Sequence, residues 1–339
     1  MFSMKAVGLY RYLPIENEES LLDLSVEKPI PKGQDLLVKI KAISVNPVDT
    51  KVRQPKDHIE DHPKILGWDA SGVVEAVGES CTLFKPGDEV FYAGDITRPG
   101  SYSEYQLVDE RIVGKKPSNL SFSEAAAMPL TTITAWEGLF ERLGISKERD
   151  QGKTILIIGG AGGVGSIAIQ LAKWLGLTVI ATASREETVD WCKQLGADYI
   201  INHRQEFVPQ LQEIGFNGVH YIFCLNDTDG HWNSMAESIL SQGKICSIVE
   251  NSENLDLNLL KSKSVTFVWE FMYTRSMYQT EDMIKQHELL NLTSKLFDQG
   301  ILRSTLTETI SLINANNLRQ VHAKVESGKM IGKVVLEGF

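Results

Sequence analysis

Lys153-Thr154-Ile155-Leu156-Ile157-Ile158-Gly159-Gly160-Ala161-Gly162-Gly163-Val164-Gly165, continued by Ser166-Ile167-Ala168-Ile169-Gln170-Leu171-Ala172, decides the fold of this chain. An unbroken apolar run leads into Gly160-x-Gly162-x-x-Gly165, and apolar residues at helical spacing follow. Strand, tight turn and helix are the context that gives this glycine pattern its meaning. Gly160 permits the turn, Gly162 lets the backbone approach a pyrophosphate, and Gly165 lets the helix pack close to the strand. The helix start at Gly163 and Val164 offers N–H groups and a positive dipole end to an anion. Residues 154–172 carry no charge, a length close to a membrane span of about 20 residues. Five glycines between 159 and 165 suit a turn rather than a lipid-facing helix. The competing reading is a glycine-rich turn with no ligand.

Downstream, the same alternation continues. Strands are expected at 178–184, 198–203, 219–225, 243–249 and 264–271, with helices at 186–196, 207–215 and 231–240 between them. Apolar strands alternating with amphipathic helices make a parallel sheet covered on both faces. Upstream, residues 1 to about 115 read as short strands, among them 35–45, 71–78 and 88–94. Pro86-Gly87 marks a turn, and the whole suggests a small β-barrel or sandwich. The tail shows a helix near 281–299, a shorter one at 314–325 and a closing strand at 332–338. The 339 residues therefore read as α/β: a doubly wound parallel sheet at 130–271, and a barrel built from 1–129 with 272–339.

Composition narrows the function. With 42% hydrophobic and 23% charged residues the chain is not of a disordered or fibrous class. A net charge of −10 leaves no basic excess for nucleic acid or an anionic membrane. Cys81, Cys192, Cys224 and Cys246 are scattered, which fits a reducing compartment, and no apolar leader opens the chain. A cytoplasmic protein is the expectation. The apolar strand 264–271 would close the sheet, and an unpaired apolar edge favours a homodimer.

The second strand of the nucleotide unit ends Ala183-Ser184-Arg185, with Glu186 and Glu187 only afterwards. A hydroxyl and a guanidinium suit the 2′-phosphate of NADP(H) better than a ribose diol. His203 and Arg204, at the end of the next strand, could add donors. In the alternative, Ser184 caps the helix, Arg185 is solvated and Glu186 reaches the ribose. His58-Ile59-Glu60-Asp61-His62 has metal-capable helical spacing, but Pro63 follows at once and a solvated loop is the preferred reading.

Val77-Gly78, then Phe84-Lys85-Pro86-Gly87-Asp88-Glu89-Val90, then the glycine motif, resemble the medium-chain dehydrogenase/reductase superfamily across essentially the whole chain. The resemblance implies a GroES-like β-barrel catalytic domain paired with a Rossmann cofactor domain. Ser44-Val45-Asn46-Pro47-Val48-Asp49-Thr50 is similar to the active-site segment of zinc-independent quinone oxidoreductases. Trp269-Glu270-Phe271-Met272-Tyr273-Thr274-Arg275 is similar to a bacterial branch named zinc-type alcohol dehydrogenase-like. Zinc-using members place Cys near Asn46 and Gly-His-Glu near Gly67-Trp68-Asp69. Here Asp69 alone is a ligand type, and one carboxylate does not hold zinc.

The resemblance implies that Asn46 and Asp49 line the site beside the nicotinamide, with Tyr92 a nearby phenol and Trp68 either core packing or a wall. An Asn amide or a Tyr hydroxyl could then bond to oxygen as charge develops there. Asp49 is equally readable as a turn or helix cap after Pro47. Thr131 and Thr134 resemble the nicotinamide-contacting linker, unless they cap a helix. Asn226, Ser247 and Phe271 follow late strands at the edge where ligands bind in open α/β sheets, and could equally be turn residues. The expected reaction is hydride transfer from NADPH to a quinone or an α,β-unsaturated carbonyl, with no metal. A zinc-type alcohol dehydrogenase, an enoyl reductase of crotonyl or polyketide type, and an inactive NADPH-binding sensor are the alternatives.

Overall fold

The computed structural model describes residues 2–339. They divide into two compact units, one running to Leu130 and resuming at Tyr273–Phe339, the other spanning Thr131–Met272.

In the first unit, strands β1 (Ser3–Tyr12), β2 (Leu22–Glu27), β3 (Asp35–Ser44), β4 (Lys56–Ile65), β5 (Asp69–Val77), β6 (Glu89–Tyr92), β7 (Tyr105–Asp109) and β8 (Val113–Lys115) come first. The second unit holds β9 (Thr154–Ile158), β10 (Thr178–Thr182), β11 (Tyr199–Ile201), β12 (Val219–Cys224), β13 (Ile239–Ser247) and β14 (Thr266–Trp269). The chain then returns to the first unit with β15 (Leu306–Ser311) and β16 (Lys333–Glu337).

The second unit is one parallel sheet in the order β11-β10-β9-β12-β13-β14, the doubly wound arrangement with its reversal beside β9. Leu156 is aligned with Ile180 on one side and Ile222 on the other, and Ile222 with Ile245. All four are fully buried beneath Phe207, Leu211, Trp232 and Met235. Each such side chain contributes about 1.5–3 kcal/mol on burial.

In the first unit, a mostly antiparallel sheet runs β15-β16-β3-β5-β6-β8, with β7 also on β3, and a second sheet runs β2-β1-β4. The C-terminal strand β16 pairs with β3, Val335 opposite Ser44 and Leu336 opposite Ile43. That pairing brings the start of β16 to the end of β3, where Val45 and Asn46 follow.

Four local expectations change. The left-handed residue of the glycine turn is Gly159, at φ 88°, not Gly160. A Cβ on Gly160 would instead lie 2.9 Å from the Ala181 Cβ and 3.0 Å from the Cys192 sulfur, so that glycine serves packing. The helix expected at 231–240 is Thr228–Ser238, because Asp227 accepts from the Gly230 N–H and starts it early. Ile239 already belongs to β13. His58 and His62 lie on strand β4, neither a helix nor a loop. Four residue steps along a strand set them roughly 13 Å apart, too far to share a metal.

A Cβ on Gly165 would collide with the Gly159 carbonyl oxygen, whereas one on Gly162 meets only that oxygen at 3.6 Å. Gly165→Ala is therefore expected to lower stability by about 1–3 kcal/mol. Gly162→Ala should stay within about 0.5 kcal/mol of the parent. Denaturant unfolding of both variants checks this; equal losses would contradict it.

Candidate functional site

The helix Gly163–Trp174 starts at Gly162 (φ −72°) with no side-chain cap. Its first N–H groups therefore need an outside acceptor, and Gly162, Gly163 and Val164 are only half-buried. A pyrophosphate fits that cradle: the backbone is open at Gly162, and the dipole end faces it. Asn226 is exposed beside this turn, its Cβ 3.6 Å from where a Gly159 Cβ would stand.

At the end of β10, Arg185 is the N-cap of the helix Glu186–Gln194. The cap hydroxyl belongs to Thr188, whose Oγ1 accepts from the Arg185 N–H at 3.1 Å and donates to the Arg185 carbonyl at 2.7 Å. Ser184 is not the cap. The Arg185 guanidinium lies 3.1 Å from Glu187 and is about one-third exposed, within reach of a phosphate at the strand end. His203 is half-buried, and burial, with His231 and Arg204 nearby, pushes it below its ordinary value. It is a neutral imidazole at pH 7, a weaker phosphate donor than the sequence suggests. Ser247 ends β13 fully buried, its hydroxyl 2.5 Å from that of Thr228. Phe271 is 46% exposed just after β14. Thr131 and Thr134 lie buried inside the helix Pro129–Trp136, not at its cap.

In the first unit the expected pocket residues are buried and committed. Asn46 donates from Nδ2 to Asp69 Oδ2 at 2.8 Å, and its Oδ1 accepts from the Lys333 ammonium. Lys333 also donates to the Val45 carbonyl at 3.1 Å and to Asp69 Oδ2 at 3.3 Å. Asp69 Oδ1 accepts from the Leu130 N–H at 2.8 Å. Burial pushes the Asp69 carboxyl up and the Lys333 ammonium down, while their mutual attraction opposes both shifts. Asp49 stands beside them. Its Oδ2 accepts from the Asn46 N–H at 2.7 Å and from the Tyr102 hydroxyl at 3.2 Å. It is thus a capping residue at the start of the Pro47–Arg53 helix as well as a member of the cluster. Tyr92 is elsewhere occupied: its hydroxyl donates to Gln106 Oε1 at 3.0 Å. Trp68 is core, its indole N–H on the Arg98 carbonyl at 3.4 Å and its ring edge-on to Tyr273. Asn46 thus gives one of its two amide hydrogens to Asp69, and Tyr92 gives its only hydroxyl hydrogen to Gln106.

Sequence reasoning missed Lys333, Tyr102, His322 and Arg53. Tyr102 meets His322 Nε2 at 3.0 Å, and Arg53 Nε donates to His322 Nδ1 at 3.3 Å. A lone Lys opening the apolar run Lys333-Val334-Val335-Leu336 was the available signal. In the second unit, Glu270 after β14 is buried beside Glu137, and Arg142 Nε reaches it at 2.7 Å. Burial and Glu137 push Glu270 up to about 9.

Zinc does not fit these residues. Among the described residues no three His, Cys, Asp or Glu gather as ligands. The amide, indole and carboxylate at 46, 68 and 69 face partners already described, one of them an ammonium.

Residues 32–118 match the alcohol dehydrogenase GroES-like domain, and residues 163–286 match the zinc-binding dehydrogenase family. The chain is 48% identical, over 98% of its length and 99% of the relative's, to a zinc-type alcohol dehydrogenase-like protein of Staphylococcus aureus strain COL. A solved putative zinc-dependent alcohol dehydrogenase from Rhizobium etli is 51% identical, with TM-score 0.96, covering 100% of this chain and 99% of that one. Over 57% of this chain and 51% of the relative, it is 38% identical to the chloroplastic NADPH-dependent alkenal/one oxidoreductase of Arabidopsis thaliana.

Lys333→Met strands the Asp69 carboxylate, and breaking a buried pair this way costs about 3–5 kcal/mol. Adding Asp69→Asn should restore part of that loss, so the double variant is more stable than the sum of the single losses. Chemical denaturation of the three proteins measures the coupling; strict additivity would contradict the pair.

Proposed function

This chain belongs to the medium-chain dehydrogenase/reductase superfamily of oxidoreductases, and from that premise we propose that it is an NADPH-dependent reductase of α,β-unsaturated carbonyls, with quinones as a second acceptor class, working without zinc. The observation that carries this reading is the Lys333 ammonium enclosed by the Val45 carbonyl, Asn46 and Asp69. With that position taken, nothing there lowers an alcohol's pKa as a metal would, whereas a conjugated acceptor takes hydride without such help. The name of the Arabidopsis relative supports the same substrate class and cofactor.

Bound NADPH supplies the hydride. The chain's part is to hold it. The helix-start N–H groups at Gly163 and Val164, beside the open backbone of Gly162, take the pyrophosphate, while Ser184 and Arg185 meet the 2′-phosphate. Asn226 flanks the turn, and Thr131 and Thr134 are assigned to the nicotinamide end by resemblance. We place the protein in the cytoplasm as a homodimer, paired through the β14 edge. Trp269 and Phe271 leave that edge apolar and exposed.

NADPH oxidation is expected with simple enals, enones and quinones, and alcohol oxidation with NADP⁺ should be far slower. Robust oxidation of primary alcohols, with none of these acceptors reduced, would overturn the reading.

Arg185→Ala should lower kcat/KM for NADPH about ten- to a hundredfold, since a hydrogen bond to a charged group contributes roughly 1.5–3 kcal/mol. The Glu187 ion pair must open first, which places the effect toward the lower end. NADH should change little. Parallel kcat/KM measurements on both cofactors check it; a wild type preferring NADH would contradict the phosphate role.

A further inference from the structure

The peptide between Gly162 and Gly163 is trans and planar, so its carbonyl and its N–H point in opposite directions. The N–H side belongs to the uncapped start of the Gly163–Trp174 helix, the place proposed above for the pyrophosphate. The carbonyl side is held from within the second unit. Gly162 O accepts the Ser166 N–H at 2.9 Å, the first bond of the helix, and the Ser166 hydroxyl at 2.7 Å. The Ala161 carbonyl is farther from that hydroxyl, at 3.5 Å.

A serine that bonds back to the carbonyl four residues earlier is ordinary in a helix. The third member is not. Trp191, on the helix Glu186–Gln194, directs its indole N–H to the Ser166 oxygen at 2.8 Å. An indole nitrogen can only donate, so Ser166 must accept, and its single hydrogen is left for Gly162. Ser166 is fully buried and Trp191 half-buried, so water does not compete at the hydroxyl. The next residue, Cys192, lies against Gly160, where a Cβ would stand 3.0 Å from its sulfur. Two consecutive residues of one helix thus grip the glycine turn, one by packing and one by a directed bond.

We infer that Trp191 and Ser166 are positioning residues for the cofactor's pyrophosphate, acting through the Gly162–Gly163 peptide. The bonds run in one direction. The Trp191 N–H goes to the Ser166 oxygen, the Ser166 O–H goes to the Gly162 carbonyl, and the Gly163 N–H of the same peptide goes to the anion. Each bond polarises the next, and a pinned carbonyl fixes the direction of the N–H before any ligand arrives. The inference deepens the cofactor reading above: it needs a pyrophosphate at the turn, and depends neither on the 2′-phosphate nor on the acceptor. Arg185 starts the same helix as Trp191 but is assigned a different part of the cofactor, so the two residues should leave different signatures.

Equilibrium binding of NADP⁺ and NAD⁺, followed by calorimetry, tests this without turnover. Ser166→Ala should weaken both by the same factor, about three- to tenfold, leaving their ratio as in the wild type. Trp191→Phe keeps an aromatic ring and loses the indole N–H, and should weaken both by about two- to fivefold. Added to Ser166→Ala, Trp191→Phe should cost nothing further, because its effect passes through the hydroxyl. Arg185→Ala should instead weaken NADP⁺ alone. In a spectrum of glycine-labelled protein, saturation with NAD⁺ should move the Gly163 amide proton downfield, and by less in Trp191→Phe than in the wild type. Unchanged affinity of both variants for both dinucleotides, or a loss confined to NADP⁺, overturns the inference and leaves the cofactor reading standing. Additive losses in the double variant, or equal Gly163 shifts in the two proteins, do the same. A wild type that binds neither dinucleotide overturns the cofactor reading, and the inference with it.

Discussion

The Asp69 carboxylate is the constraint on which the first unit depends. One of its oxygens takes the Leu130 N–H at the first turn of the Pro129–Trp136 helix. The other takes the Asn46 amide and the Lys333 ammonium. A single fully buried group thus ties together the exit of β3, the start of β5, a helix N-terminus and the C-terminal strand. An ion in such a place is costly unless every lone pair is used. Here three groups meet on two oxygens, and Lys333 finds two further acceptors in Val45 and Asn46. The arrangement is closed, which explains why a basic residue can open an apolar strand such as β16.

The same closure shapes the chemistry. With one cation between two carboxylates, a charge-neutral interior requires one proton, and Asp49 is its natural holder. Asn46, which resemblance makes a donor to the developing oxyanion, is spent on holding the ion pair. In the second unit the glycine turn follows a different logic: it leaves backbone groups unsatisfied, and a ligand completes them.

The fold was legible because its signals are local. The run Thr154–Ile158 and the glycines after it identify the first strand and helix of the parallel sheet without any knowledge of long-range contacts, and the strands downstream repeat the pattern. Gly159 was misjudged because sequence spacing does not say which of two adjacent glycines adopts φ 88°. The His58–His62 pair was misjudged because β4 is an exposed, charged strand held by pairing with β1, with little alternation to reveal it. The site was legible only in part. Asn46, Asp49 and Asp69 sit close together in sequence, but their partners Tyr102, His322 and Lys333 lie tens to hundreds of residues away. Only the folding of β16 beside β3, and of the Ala315–Glu326 helix against Pro47–Arg53, brings them in.

The central claim is that an internal ammonium stands where a metal would otherwise be needed. Elemental analysis of the purified protein, paired with NADPH-dependent turnover before and after dialysis against a chelator, tests it most directly. The account predicts no stoichiometric zinc and unchanged turnover. About one tightly held zinc per chain, with activity lost on chelation and restored by zinc, would contradict it.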